Sequence, residues 1–210
     1  QKAVESVFAQ TYQDWELVVA DDGSGAETRS YMGELRDPRV RVLHLEHCGS
    51  PSRVRNAGIR IASGRYLAFL DSDDMWAPHK LTVQLDALAA IPGCRWSYTH
   101  CARIEADGRP LRNDLLAAKK VYGGRIHAAL IRLDAWVSMP SVVAERSLVE
   151  EIGGFDEEQA FEEQLDFCVR LALRSEVIAI QEPLCSIRAH DQHYSADRIA
   201  AIKSWDRLYA

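Results

Sequence analysis

Three carboxylates, Asp71, Asp73 and Asp74, directly follow the apolar run Tyr66, Leu67, Ala68, Phe69 and Leu70. A run with no polar break predicts a strand buried on both faces. Three like charges at its end repel one another unless something positive sits among them. Carboxylate oxygens are hard ligands suited to Mg2+ or Mn2+, and such an ion keeps one or two protein carboxylates while substrate phosphates complete its shell. A bound diphosphate would account for the cluster; a plain turn, which Asp favours, is the competing reading. A second acidic pair, Asp21 and Asp22, ends the apolar stretch from Trp15 to Ala20.

The elements that would position these loops follow from periodicity. Ala3, Val4, Val7 and Phe8 fall at helical spacing between Lys2 and Tyr12, and Trp15 to Ala20 reads as a strand. Ala26 to Leu35 fits a helix and Val40 to Leu45 a strand. Pro51 then stands where a first helical residue is tolerated, and Gly64 where a helix ends. After the strand Tyr66 to Leu70 come a helix from Pro78 to about Ala90 and a strand from Trp96 to Ile104, turned at Asp107 and Gly108. This alternation predicts an α/β fold, a mostly parallel sheet with helices on both faces, whose ligands bind at the carboxyl ends of the strands. Both acidic loops fall there.

The second half is less regular. It predicts a helix over Ile126 to Leu133, a short strand over Ser141 to Ala144, and a helix opened by a capping box of Ser147 and Glu150 and stopped by Gly153 and Gly154. Phe161 to Arg174 is a strong helical segment, and Ala196 to Leu208 reads as a closing amphipathic helix.

Composition excludes several classes. With 210 residues, 47% apolar and 27% charged, the chain suits one globular domain. A net charge of −6 with scattered basic residues argues against nucleic acid as a partner. No apolar run approaches the roughly 20 residues needed to cross a bilayer, and the first residues lack a signal-peptide layout. The five cysteines contain no Cys-x-x-Cys pair and fit neither a disulfide framework nor a zinc site, so a reducing compartment and a role as core filler are expected.

The stretches "SVFAQTYQDWELVVADDGS", "RVRNAGIRIASGRYLAFLDSDDMWAPHKL" and "EEIGGFDEE" resemble, in order and spacing, three successive signatures of family 2 glycosyltransferases. The likeness extends, more weakly, from Lys2 to about Ser195. It implies a three-layer α/β/α GT-A fold over 1–210, with a nucleotide-sugar half at 1–104 and an acceptor half with closing helix at 105–210. It also implies a nucleoside-diphosphate sugar donor, a divalent metal and transfer with inversion. Carried over by position, Asp22 matches the acid that bonds the nucleotide base, with Asp21 beside it, and Asp71 belongs to the ribose and metal motif. Asp73 and Asp74 match the metal and diphosphate ligands, Arg55 and Asn56 the Arg-Asn pair of the donor pocket. His190, in "SIRAHDQHYS", matches a residue that completes the metal shell or touches the diphosphate. Trp136, Met139 and Ser141 lie where the family shapes the acceptor side; core packing is their competing reading.

Two departures stand out. The family supplies its base as the Asp of a Glu-Asp pair, and "FEEQLDFCVRL" aligns Glu163 with the Glu and puts Gln164 at the base position. Glutamine cannot accept the acceptor hydroxyl's proton at neutral pH. Glu163 acting instead, Asp166 acting from nearly the same helix face, or donor binding without efficient transfer are the three accounts, with Glu163 favoured for its reach. The family also has a strand ahead of the first helix, and this sequence opens at Gln1 beyond it; a fragment, or another segment in that place, would explain this.

The expectation is therefore a metal-dependent inverting glycosyltransferase moving a sugar from a UDP- or GDP-sugar to a saccharide or lipid-linked saccharide, in the cytoplasm or at the inner face of the membrane. A homodimer is compatible with it. A non-catalytic nucleotide-sugar-binding module and a nucleotidyltransferase are the alternatives.

Overall fold

The computed structural model describes residues 1–111, 121–159 and 162–189. Its elements in order are α1 (Lys2–Phe8), β1 (Leu17–Asp21), α2 (Ala26–Glu34), β2 (Val40–His44), α3 (Pro51–Ile61), β3 (Tyr66–Ala68), β4 (Met75–Trp76), α4 (Lys80–Ala90) and β5 (Trp96–Ile104). There follow α5 (His127–Ile131), a 3-10 turn at Met139–Ser141, β6 (Val143–Glu145), α6 (Arg146–Glu151), α7 (Glu163–Arg174) and β7 (Val177–Arg188). The first half matches the sequence expectation within a few residues per boundary except for β4, which was not expected, and Pro51 does open α3, where the Ser50 hydroxyl accepts the N–H of Arg53. The closing helix expected at Ala196 to Leu208 lies outside the described residues.

The α/β expectation holds, but the sheet is mixed. Strands β1 and β2 pair parallel as a two-stranded unit, joined by the α2 crossover. A second sheet runs β3-β6-β5-β7-β4, in which only β5 and β7 are parallel and the other three pairs are antiparallel. Parallel pairing needs a crossover of a dozen or more residues. Strand β6 instead leads straight from the 3-10 turn into α6 and lies antiparallel between β3 and β5, a reversal that a simple alternation of strands and helices does not encode.

Three local expectations are corrected. The run Tyr66 to Leu70 is strand only to Ala68, and of its five residues only Leu67 is buried, because β3 pairs with β6 alone among the described residues. The capping box does not form: α6 begins at Arg146 with Glu145 as its N-cap, and the Ser147 hydroxyl accepts from Arg95 instead. The strand expected from Ser141 starts at Val143, since Met139–Ser141 winds into the 3-10 turn. In β7, Pro183 lies opposite His100, where the β5–β7 register shifts, as a residue without an N–H requires.

The larger core packs α5, α6 and α7 against the sheet around Trp96, Tyr98, Met139, Leu148, Phe167 and Leu171. Phe155 and Phe167 stack with centroids 4.0 Å apart, and Phe69 meets both edge-on at 5.6 Å. This trio clamps the end of the β3 run against the start of α7, which brings the acidic loop beside the Gly-Gly-Phe-Asp turn. Cys101, Cys168 and Cys185 are buried, as core filler would be, whereas Cys48 is exposed.

Candidate active site

The acidic loop is tied down from two sides. The Asp74 N–H donates to the Asp71 carbonyl at 3.2 Å and closes the turn. From β7, the Arg188 backbone N–H donates to Asp74 Oδ1 at 2.9 Å, and the Arg188 Nε donates to the Asp73 carbonyl at 3.0 Å. The same guanidinium donates to the carbonyls of Glu105 and Ala106 at 3.1 and 2.6 Å, so one side chain ties the loop to the turn after β5. Sequence reading gave Arg188 no role, although it stands in the stretch "SIRAHDQHYS". Its signal was an Arg at the end of an apolar run in register with the acidic loop, which only the antiparallel β4–β7 pairing brings together.

Beside this loop lies a cavity of about 450 Å³ whose wall includes Lys2, Glu5, Ser72, Asp73 and Arg188. It presents carboxylates and cations together, a combination suited to an anionic ligand accompanied by a cation. Among the described residues no three Asp, Glu, His or Cys side chains converge as a ready metal cage. The loop nevertheless suits a Mg2+ or Mn2+ ion of the kind that takes one or two carboxylates and leaves the rest of its shell to phosphates. Asp73 is on the cavity wall, and Asp74 stands behind it, 4% exposed. His190 lies outside the described residues.

Burial pushes the Asp74 carboxyl up to about 7, the Arg188 N–H opposes this, and the charges of Asp73 and Asp71 add to it. An acid raised in the folded state is held more comfortably protonated, so its contribution to stability is present below about pH 4 and lost as pH climbs toward 7. Asp74→Asn keeps an oxygen for the Arg188 N–H and removes the titration. Relative to the parent, this variant is expected to gain stability between pH 4 and 7, by up to about 4 kcal/mol, since each tenfold change in proton affinity is worth about 1.36 kcal/mol. Melting temperatures of both proteins across that range check this; parallel curves would refute it.

Arg55 joins the loop to α7. Its NH2 lies 2.9 Å from Asp71 Oδ1 and its NH1 2.9 Å from Glu163 Oε1, with the side chain only 14% exposed. Burial works against the charge, and the two carboxylates outweigh it, raising the Arg55 pKa above its ordinary value. Asn56 points elsewhere: its Nδ2 donates to the Phe155 carbonyl and to Glu157, and its Oδ1 accepts the Phe155 N–H at 2.9 Å. It thus secures the Gly-Gly-Phe-Asp turn and explains Gly154, which has φ +72° and where a Cβ would stand 2.7 Å from Asn56 Oδ1.

The three polar residues opening α7 have distinct settings. Glu163 faces Arg55; Gln164 Oε1 accepts the Met139 N–H at 3.1 Å and holds α7 to the 3-10 turn; Asp166 accepts from Arg170 Nε at 2.9 Å. Arg170 also donates to the carbonyls of Ile152 and Gly154, so the Asp166–Arg170 pair supports the glycine turn. Glu162, the N-cap of α7, has φ +57°, an uncommon conformation for a non-glycine residue. Of the residues expected on the acceptor side, Met139 and Ser141 are fully buried, as core packing requires, while Trp136 is exposed and donates to Ser138 Oγ.

The first acidic pair lies at the end of β1. Asp21 is buried, accepts the Ser24 N–H at 2.9 Å and meets His44 at 3.1 Å. Asp22 accepts the N–H groups of Cys48 and Gly49 at 2.8 and 2.9 Å, which hold its carboxyl below the ordinary value. Asp22 thus braces the loop between β2 and α3, while Asp21 secures the turn after β1 and the end of β2.

Residues 1–95 match the sequence profile of glycosyl transferase family 2. These residues are a glycosyl transferase family 2 region. Among the chain's relatives is the UDP-Glc:alpha-D-GlcNAc-diphosphoundecaprenol beta-1,3-glucosyltransferase WfgD of Escherichia coli, 42% identical over 86 residues, which are 41% of this chain and 34% of that protein. The putative teichuronic acid biosynthesis glycosyltransferase TuaG of Bacillus subtilis is 36% identical over 113 residues, 53% of this chain and 44% of that one. The matches thus span less than half the length of these relatives. In fold, the chain is similar to S. aureus TarS 1-349 in complex with UDP-GlcNAc, with a TM-score of 0.72 at 19% identity over 93% of this chain and 56% of that one. The family 2 assignment agrees with a mixed α/β sheet of GT-A type. No helix among the described residues is long and apolar enough to cross a membrane.

Proposed function

We propose that this chain is the catalytic domain of a glycosyltransferase that transfers a sugar, with inversion, from a UDP-sugar to a hydroxyl of a glycan acceptor. The observation that carries the reading is the acidic loop with Asp73 on the wall of a cavity that also presents Lys2 and Arg188. The relative named for UDP-glucose transfer and the TarS complex with UDP-GlcNAc favour UDP over GDP.

In this reading, residues 1–104 bind the donor and 105–210 the acceptor. Lys2 and Arg188 attract the diphosphate, and Asp73, backed by Asp74, would hold a Mn2+ or Mg2+ ion. Such an ion supplies Lewis-acid stabilisation of the charge that develops on the leaving group. Glu163 accepts the proton of the acceptor hydroxyl as its oxygen attacks the anomeric carbon from the face opposite the departing diphosphate. Gln164, engaged with the Met139 N–H, leaves Glu163 as the acid of that turn that faces Arg55 and the donor loop. The relative named for a diphosphoundecaprenol acceptor supports a lipid-linked saccharide as acceptor, and with it work at a membrane surface.

Calorimetric titration with UDP and with GDP, each with and without Mn2+, tests this. Micromolar UDP binding strengthened by Mn2+ is the expected result. Absence of binding to either nucleotide would overturn the reading, and binding without any release of sugar to water or acceptor would turn it toward the non-catalytic module.

A further inference from the structure

Arg55 is placed as a link between the acidic loop and α7. It projects from the second turn of α3, its guanidinium lies 5.3 Å from the Phe155 ring centroid, and its two terminal nitrogens reach carboxylates on different elements. One is Asp71 of the acidic loop, 35% exposed; the other is Glu163 of α7, 9% exposed. Glu163 is the more buried of the two carboxylates, and Arg55 is its ion-pair partner. Asp71 is more open, and its loop is where Asp73 and Asp74 gather further negative charge.

We infer that Arg55 is a positioning residue that couples occupancy of the donor loop to the setting of Glu163, a role that rests on the donor-binding reading above. A diphosphate arriving at the loop competes with Asp71 for the guanidinium, and a cation arriving there competes with the guanidinium for Asp71. Either event loosens the exposed arm of the fork, to Asp71, while the arm to Glu163, shielded from solvent, is kept. A planar two-armed group is needed for this, because a lysine ammonium on one flexible stem cannot hold both carboxylates in a fixed fork. The donor site and the proton acceptor thereby share one charge, and the sharing is reciprocal: removing the charge of Glu163 alters donor affinity although Glu163 lies on the far side of Arg55 from the loop.

The test is a double-mutant cycle read by calorimetry with UDP and Mn2+, a readout that requires no turnover. Glu163→Gln is expected to change the UDP dissociation constant about fivefold or more in the parent, and less than about twofold when Arg55 is Lys or Met. A side chain that merely supports the fold would let Glu163→Gln act by the same factor in every background, and that result overturns the coupling. If Arg55→Met does not fold because it strands Glu163 unpaired, Arg55→Lys and the Arg55→Met/Glu163→Gln double variant complete the comparison. Loss of UDP binding in the parent itself would instead overturn the donor-site reading, and the coupling with it.

Discussion

Asp73→Asn is expected to remove the Mn2+-dependent part of UDP binding and to lower turnover by roughly 10²- to 10³-fold, the cost typical of losing one preorganised electrostatic group at a reacting centre. Asp73 lines the cavity, while its backbone carbonyl, not its carboxylate, accepts the Arg188 Nε. The substitution therefore leaves in place the bond that ties the loop to β7. It also withdraws one of the charges that raise the Asp74 pKa, so the variant should melt no lower than the parent at neutral pH. Calorimetry with UDP, with and without Mn2+, separates the two effects from a fold defect. Equal affinities in variant and parent would mean that the acidic loop is a turn that binds no cation.

The second large effect concerns the proton. Glu163→Gln is expected to cost about 10²- to 10⁴-fold in turnover, the usual range for a positioned base, and Asp166→Asn only a few fold. The contrast follows from the partners: Glu163 meets the guanidinium that also holds the donor loop, whereas Asp166 is bound to Arg170, which holds the carbonyls of Ile152 and Gly154. Asp166→Asn should instead lower stability, by roughly 1 to 2 kcal/mol for a charge-assisted hydrogen bond in a partly buried setting. Turnover and melting temperature measured on the two variants check this. A large turnover loss in Asp166→Asn with little change in melting would make Asp166 the base.

The resemblance carried by "FLDSDD", "RVRN" and "GGFD" was visible in the residues themselves, because those stretches combine unusual composition with fixed spacing. Pro51 at the head of α3 and the strand Trp96–Ile104 were equally visible, since each depends on local backbone preference and on periodicity within one segment. What failed was local pattern standing in for context. Ser147 and Glu150 have the spacing of a capping box, yet α6 starts one residue before Ser147, and the hydroxyl goes to Arg95 instead. Asn56, for which the resemblance implies a place in the donor pocket, has both ends of its amide bonded around Phe155, a pairing that no local pattern gives.

By itself, then, the sequence determined the α/β class, the family and the placing of the acidic groups at strand ends, because apolar periodicity and motif spacing are properties of short contiguous stretches. Only the tertiary structure decided which charges meet. Arg55 lies 108 positions from Glu163 and Arg188 lies 114 from Asp74, and no local preference specifies such pairs. They exist because β7 returns antiparallel to β4 and because Phe69, Phe155 and Phe167 pack the β3 run against α7. In that low-dielectric setting a carboxylate is stable only beside its partner, so packing, rather than spacing, assigned each acid its role.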